Sequence, residues 1–388
     1  MNLSKQQQRY EVLDGMRGIA AFCVMMYHYT MCTNFPIFRN AFLAVDLFFI
    51  LSGFVIAHTY SQRLLNGMSF TEFFCRRVIR LYPMFFMGLV LGGVTFSAMT
   101  KLGWSNYSLR DIAASLLCNM LFLPYLNDGR IFHFPTDIVT QGPVFPVDTP
   151  MWSLFFELFI NMFCLLLFRL NNLHLKRLVL LMYGFVVVRG LISSFIHFDI
   201  AVTPSDGWGT LNFLSGFPRV FYGFVFGILL QRHIEEVPES PYASRLKFIY
   251  NQPFLLYGLL LMVFLFPFPY GMHGVTYLFM LGFVMPFFVW MGAMSWCKNR
   301  LSFAISRFLG WISYPLYCLH MPVSHGINVL FKKYDYPGVG MVPVAISVIT
   351  SVITAILITK LYEEPLRNEL SKRLKTAALR QQVKVVIP

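Results

Sequence analysis

Leu13-Asp-Gly-Met-Arg17-Gly-Ile-Ala-Ala-Phe-Cys-Val-Met-Met-Tyr-His28-Tyr29 decides how this chain is read. It is the first of a series of apolar stretches of about 20 residues, each long enough to span a bilayer as a helix. One such window could be a core helix of a soluble protein, but a whole series along one chain cannot. Within this first window Arg17 stands near the start and His28 deep inside. Eleven residues of helix make three turns plus about 20°, so both side chains share a face, roughly 16 Å apart along the axis. Ionisable groups inside a membrane are costly and by default mark a functional site. A charge at the edge and an imidazole in the interior suit a ligand with an anionic head and a reactive end.

Composition gives the same class. Of 388 residues 57% are hydrophobic and only 13% charged, and the mean hydropathy is +0.61. The net charge of +13 could signal nucleic acid, but in a membrane protein Lys and Arg gather on cytoplasmic loops and set topology. No nucleic-acid partner is expected. The seven cysteines are singly placed, with no Cys-x-x-Cys pair, so neither a zinc site nor a redox motif is indicated. No metal is expected. The polar start, Met1 to Glu11, shows no cleavable leader pattern.

Apolar spans are expected at about 14–33, 41–60, 82–100, 151–168, 178–198, 211–230, 253–270, 275–296, 309–331 and 340–361. The shorter stretch 112–126 decides the topology, because a crossing there would move every later loop to the other side. Without it, the inside segments hold 22 Lys and Arg and the outside loops hold six. With it, four later basic clusters would face outward against the positive-inside rule. The expected fold is therefore an all-α membrane protein of about ten spans with both termini cytoplasmic. Segment 112–126 is re-entrant, and 101–150 forms an outer-face lid. The chain reads as a single membrane-embedded domain, 1–388, with spans over 14–361 and a short basic tail, 362–388.

The charged and titratable groups inside spans include Arg17, Arg189, Arg219, His28, His320, Asp46 and Glu157. His28 and Asp46 lie nine residues either side of the first hairpin's midpoint, so antiparallel helices would bring them to similar depth. A carboxylate beside an imidazole fixes its tautomer and supports general-base work. His28 is the expected base and Asp46 its partner, although the pair could merely tie two helices. Glu157, six residues into a span expected to start outside, could bind an acceptor hydroxyl or neutralise Arg189 or Arg219. Arg76-Arg77-Val-Ile-Arg80 would sit on the cytoplasmic side with Arg17, and guanidinium groups suit phosphate. Gly15 and Gly18 would let such a ligand approach the helix backbone. His133-Phe-Pro-Thr-Asp137 is read as chance in an outer loop, and His325 as interfacial.

These residues form a pattern. Leu13-Asp14-Gly15 with Arg17 and His28 comes first, then Phe42-Leu-Ala-Val-Asp46-Leu-Phe-Phe-Ile-Leu-Ser52-Gly53-Phe54, and then Arg76-Arg77-x-x-Arg80-x-x-Pro83. Trp152-Ser153-Leu154-x-x-Glu157, Ile312-Ser313-Tyr314-Pro-Leu-Tyr317-Cys-Leu-His320 and Glu364-Pro365-Leu366-Arg367 follow. In this order the chain resembles the acyltransferase-3 family of bacterial membrane proteins, which O-acylate surface sugars. The resemblance implies an acyl-CoA donor, usually acetyl-CoA, used from the cytoplasmic side. It also implies a sugar hydroxyl as acceptor, and Arg17 and His28 as essential residues. Arg17, Arg76, Arg77 and Arg80 are the expected donor-binding groups, His28, Asp46 and Glu157 the catalytic ones, and Trp152, Tyr317 and His320 the substrate-binding ones. Some members carry a C-terminal soluble esterase-like domain, and none is read here. The implied place is the bacterial inner membrane, and direct transfer is the default expectation, with Ser52 or Ser153 as the nucleophile of an alternative route through an acyl-enzyme. The rival reading is a proton-coupled transporter or flippase of a glycan or organic anion, since intramembrane His and acidic residues suit that too. No inverted repeat of the kind many transporters show is visible.

Overall fold

A computed structural model of the protein describes residues 10–31, 33–105, 107–126, 142–197, 206–236, 252–268, 273–333 and 340–386. Among these the chain is helical, and the one β-type contact is an isolated bridge between Pro143 and Gly209. The helices are α1 (Glu11–Thr30), α2 (Leu43–Leu65), α3 (Phe70–Lys101), α4 (Leu109–Met120), α5 (Trp152–Asn161), α6 (Cys164–Arg169) and α7 (Asn172–His197). After them come α8 (Gly216–Glu236), α9 (Pro253–Leu265), α10 (His273–Phe279), α11 (Met285–Met294), α12 (Arg300–Lys333), α13 (Met341–Ile358) and α14 (Glu364–Val386). π-helical turns at Met280–Val284 and Thr359–Glu363 join α10 to α11 and α13 to α14.

By length and composition, five helical segments can cross a membrane: Leu43–Leu65, Phe70–Lys101, Phe213–Glu236, Gly274–Met294 and Met341–Ala377. The protein is an all-α, multi-pass membrane protein, as its sequence implies. The other expected spans take different forms. Segment 14–33 is α1, while 178–198 and 309–331 lie within α7 and the 34-residue α12. Segment 253–270 is helical for only 13 residues. Segment 82–100 extends back to Phe70, where the Ser69 side chain caps the helix by accepting from the Glu72 amide at 3.1 Å. Arg76, Arg77 and Arg80, which precede the expected span, therefore belong to the same continuous helix α3.

Two parallel helix pairs form the frame. In the first, Arg17 and His28 of α1 meet Ser313 and His320 of α12. In the second, Asp46 and His58 of α2 meet Arg219 and Glu235 of α8. Both pairs approach through glycine, as packing helices in lipid do. A Cβ on Gly18 would lie 2.5 Å from the Leu309 carbonyl oxygen, and one on Gly227 would lie 2.1 Å from the Ile50 carbonyl oxygen. Gly15 faces the Tyr257 hydroxyl. Gly15 and Gly18 thus serve helix packing, and the expectation that they admit a ligand is corrected.

Parallel α2 and α8 require an odd number of crossings between them. The passages between them are α3, the 142–169 segment and α7, so α4 cannot also cross. Its 12 residues extend about 18 Å, short of the roughly 30 Å hydrocarbon core. It folds back along α3, with Leu116 against Gly93. The Ser108 hydroxyl caps it through the Asp111 amide, and its hydrogen bond to the Asp111 carboxylate lowers that group's pKa. The chain reverses at Phe122, in the left-handed region with φ 57°, whose ring stacks 4.0 Å from Phe85.

The last described stretch of the expected lid, 142–150, is buried inside the bundle rather than lying over it. Val144, Phe145, Val147 and Met151 have no exposed surface. The segment threads down α3, with the Val147 carbonyl on Gly92 and Asp148 and Met151 on Gly88. Pro143, Pro146 and Pro150 prevent a helix here. Irregular backbone is tolerated at membrane depth only where protein or a cavity surrounds it. The helix expected over 151–168 consequently starts inside the bundle as α5 and breaks at Met162 and Phe163 before α6. His133, Pro135 and Asp137 lie outside the described residues.

Gly227→Val tests the α2–α8 contact. Overpacking of this kind costs about 1–3 kcal/mol, and a backbone carbonyl cannot rotate away. The thermal unfolding midpoint of the purified protein should fall, whereas Gly258→Ala, with no neighbour within 4 Å, should leave it unchanged or slightly raised.

Candidate active site

Two cavities lie at different levels of the bundle. The larger, about 370 Å³, is lined by His28, Trp152, Trp208, Tyr317, Ser324 and Asn328 among others. The smaller, about 130 Å³, is lined by Arg17, Ser52, Arg77, Arg80, Ser153 and Glu157 among others, and Tyr317 belongs to both linings. Of the residues expected from sequence, His28 and Trp152 line the larger chamber, Arg17, Arg77, Arg80 and Glu157 the smaller and Tyr317 both, while Asp46, Arg76 and His320 line neither.

His28, on the wall of the larger chamber, pairs with His320, which is buried behind it and lines neither cavity. His320 Nδ1 lies 2.8 Å from the Tyr317 carbonyl oxygen and 3.1 Å from that of Leu316. A carbonyl only accepts, so Nδ1 carries the proton and the neutral ring presents Nε2 as an acceptor. His28 Nδ1 lies 3.0 Å from that Nε2 and must donate to it. The lone pair of His28 is then on Nε2, the arrangement a general base needs. The Tyr29 hydroxyl donates to the His320 carbonyl at 2.7 Å and also meets Ser351. His325, read from sequence as interfacial, lines this same chamber, because α12 continues well past His320.

Asp46 does not meet His28. Its two oxygens take Arg219 Nε and Nη2 at 2.6 and 2.8 Å, and both side chains are almost fully buried. The depth estimate left the direction around the helix axis open. Asp46 faces α8, where a guanidinium offers a bidentate, fully charged partner that a neutral imidazole cannot match. Arg219 also lies over the Trp152 ring, 5.6 Å from its centroid. Trp152 therefore has one face committed to the scaffold while lining the larger chamber.

Glu157 also departs from expectation. It receives Arg77 at 2.8 Å and the Ser52 hydroxyl at 3.1 Å, and neither Arg189 nor Arg219 is its partner. The reason is the irregular 142–151 passage. Because α5 begins inside the bundle, Glu157 lies at the level of the arginines rather than that of His28. Arg189 instead donates through Nε to Ser215 at 3.0 Å.

The arginines are not equivalent. Arg17 is held by Ser313 at 3.0 Å, the Gly310 carbonyl at 3.2 Å and Asp14 at 2.9 Å. Arg76 is taken by Glu72 at 2.6 Å and does not line the cavity. Arg80 is 41% exposed and lies 3.8 Å from Glu363, which Arg367 holds at 2.6 Å. Arg80 is therefore the most loosely held cation of the smaller chamber. Glu363 belongs to the π-turn after α13, a feature frequent at functional sites. Among the described residues no three His, Cys, Asp or Glu converge as a metal site would require.

The sequence profile of a family described as an acyltransferase domain matches residues 10–360. The chain belongs to the acyltransferase-3 family. It is 36% identical over 163 residues to "Protein 2 in picA locus" of Rhizobium radiobacter, covering 40% of this chain and 80% of that protein. It is 27% identical over 155 residues to the putative peptidoglycan O-acetyltransferase YrhL of Bacillus subtilis, covering 39% of this chain and 23% of that protein. It is 26% identical over 328 residues to the putative acetyltransferase ORF330 of Acidianus two-tailed virus, covering 81% and 83% of the two chains. No solved structure matches the chain.

The buried ion pair is open to test. Removing one partner of such a pair costs about 3–5 kcal/mol, because the other charge stays buried and uncompensated. Asp46→Asn should lower the thermal unfolding midpoint sharply. The double variant Asp46→Leu/Arg219→Met should recover much of that loss, which a catalytic partnership between Asp46 and His28 would not produce.

Proposed function

We propose that this protein transfers an acyl group, most simply acetyl, from acyl-CoA to a hydroxyl of a glycan across the bacterial inner membrane. The arginine chamber opens to the cytoplasm and takes the donor, and both termini lie on that side. The histidine chamber takes the acceptor, a lipid-linked or surface glycan. One observation carries this reading: a chain of an acyltransferase family holds a cationic cavity and a base-containing cavity that share Tyr317 as a wall residue.

Arg17 and Arg80, with Arg77 behind its Glu157 pair, attract the phosphates of CoA. Arg76 is spent on Glu72 and contributes only general positive charge. The pantetheine arm runs along α1 and brings the thioester toward Tyr317. Aromatic Trp208 and polar Ser324 and Asn328 offer the stacking and hydrogen-bonding chemistry that a sugar uses. His28 Nε2 takes the proton from the acceptor hydroxyl as its oxygen attacks the thioester carbon. The C–O bond forms, the C–S bond breaks, and the proton passes to the leaving thiolate. His320 accepts from His28 throughout and shares the positive charge through the Tyr317 and Leu316 carbonyls. Transfer is direct, with no acyl-enzyme.

The decisive assay is acetyl transfer from acetyl-CoA to glycan by the purified protein in lipid vesicles, read by mass spectrometry. General-base catalysis contributes on the order of 10²–10⁴ in rate. His28→Ala and His28→Gln should both lose at least that much while acetyl-CoA still raises the unfolding midpoint, as any native-state ligand does. An active His28→Gln protein would move the base elsewhere. A wild-type protein indifferent to acetyl-CoA would return the site to the transporter reading.

Arg17→Lys separates donor binding from chemistry. It exchanges a bidentate fork for a point charge, so the apparent affinity for acetyl-CoA should weaken more than that for glycan. Unchanged donor affinity would remove Arg17 from the donor site.

A further inference from the structure

Among the described residues, Tyr317 alone lines both chambers. Its hydroxyl is 2.7 Å from Ser153 Oγ and 3.0 Å from the Pro150 carbonyl oxygen, and Ser153 Oγ is 3.2 Å from the same carbonyl. Both side chains are buried. Phe48 meets the Tyr317 ring edge-on, at 5.7 Å and 88°, and limits its movement. Ser153 stands in the first turn of α5, at the helix end whose dipole favours negative charge.

A thioester delivered from the arginine chamber and a hydroxyl activated by His28 can meet only where the chambers meet. When the oxygen attacks, negative charge develops on the thioester carbonyl oxygen and needs a donor there. The trio of Tyr317, Ser153 and Pro150 has two hydroxyl protons and one obligatory acceptor. At rest one hydroxyl donates to Pro150 and the other to its neighbour hydroxyl. If Tyr317 turns its proton toward the substrate, Ser153 still satisfies the Pro150 carbonyl. A donor can therefore be released without orphaning a buried group, which would otherwise cost about 1–3 kcal/mol.

We propose that the Tyr317 hydroxyl, relieved by Ser153, is the donor that stabilises the tetrahedral oxyanion of acyl transfer. The inference rests on the acyl-transfer reading above. No bond forms to Tyr317. The acceptor oxygen adds to the carbonyl carbon, its proton goes to His28, and the oxyanion collapses with loss of thiolate, which recovers the proton.

Tyr317→Phe keeps the ring and the main-chain carbonyl that holds His320. Losing one oxyanion donor costs on the order of 10²–10³ in kcat, and KM for acetyl-CoA should stay the same. Two probes distinguish this role from a structural one. The trifluoromethyl ketone analogue of acetyl-CoA imitates the oxyanion, and the thioether S-ethyl-CoA has no carbonyl. Tyr317→Phe should weaken the ketone by about the same factor as kcat and leave the thioether unaffected, and Ser153→Ala should do so more mildly. Equal losses for both probes would make Tyr317 a packing or gating residue and overturn the inference. So would full turnover in Tyr317→Phe, or an acyl adduct on Tyr317 found by mass spectrometry. In those outcomes wild-type acetyl transfer still stands. If the wild-type protein neither transfers acetyl nor responds to acetyl-CoA, the acyl-transfer reading fails and this inference with it.

Discussion

The close approach of α1 to α12 sets everything at the centre of the protein. With no side chain at Gly18, the two helices lie in backbone contact and run parallel. Parallel helices in contact keep the same register along their length. Gly18 beside Leu309 therefore places His28, ten residues on, level with His320, eleven residues on, and Tyr29 beside the His320 carbonyl, while the long Arg17 side chain reaches forward to Ser313. A bulkier residue at position 18 would part the histidines as well as the helices. Cation and base keep a fixed separation because both stand on one helix, and their partners keep it because they stand on another.

The second organising feature is a helix that starts late. Lipid forbids unsatisfied backbone, so a segment with proline at 143, 146 and 150 can enter the bundle only inside protein. It does so along the glycines of α3 and leaves the first turn of α5 at the junction of the two chambers. Ser153 and the Pro150 carbonyl thereby reach Tyr317, and Glu157 falls to the level of the arginines.

The fold class was fully legible in the sequence, because hydropathy depends on composition along the chain and lipid leaves few alternatives. The re-entrant character of 112–126 followed from the distribution of Lys and Arg, and the parallel pairing of α2 with α8 requires the same parity. The charged and titratable residues inside the helices could be listed from sequence, while their pairings were legible only in part. Depth along a helix can be counted from sequence, but the direction a side chain faces depends on which helix lies beside it. Asp46 and His28 were assigned similar depth, yet they look toward different neighbours. Arg219 was the available clue, since an intramembrane guanidinium demands an acid, but Glu157 stood as its candidate partner in place of Asp46. The His28–His320 contact and the Tyr317–Ser153 pair join residues far apart in sequence, and no local spacing encodes them.

The Asp46–Arg219 pair links positions 173 residues apart, and this separation bears on how the protein is made. A chain enters the membrane roughly in order of synthesis, so α2 is in place long before Arg219 exists. Until then Asp46, the fourth residue of α2, has no guanidinium partner; a charged group at the centre of a spanning helix costs about 2.5–3.5 kcal/mol on insertion scales, and one near its end less. Arrival of α8 removes that penalty and locks two helices with a single contact. Asp46 therefore stays unmatched until more than half of the chain has been made.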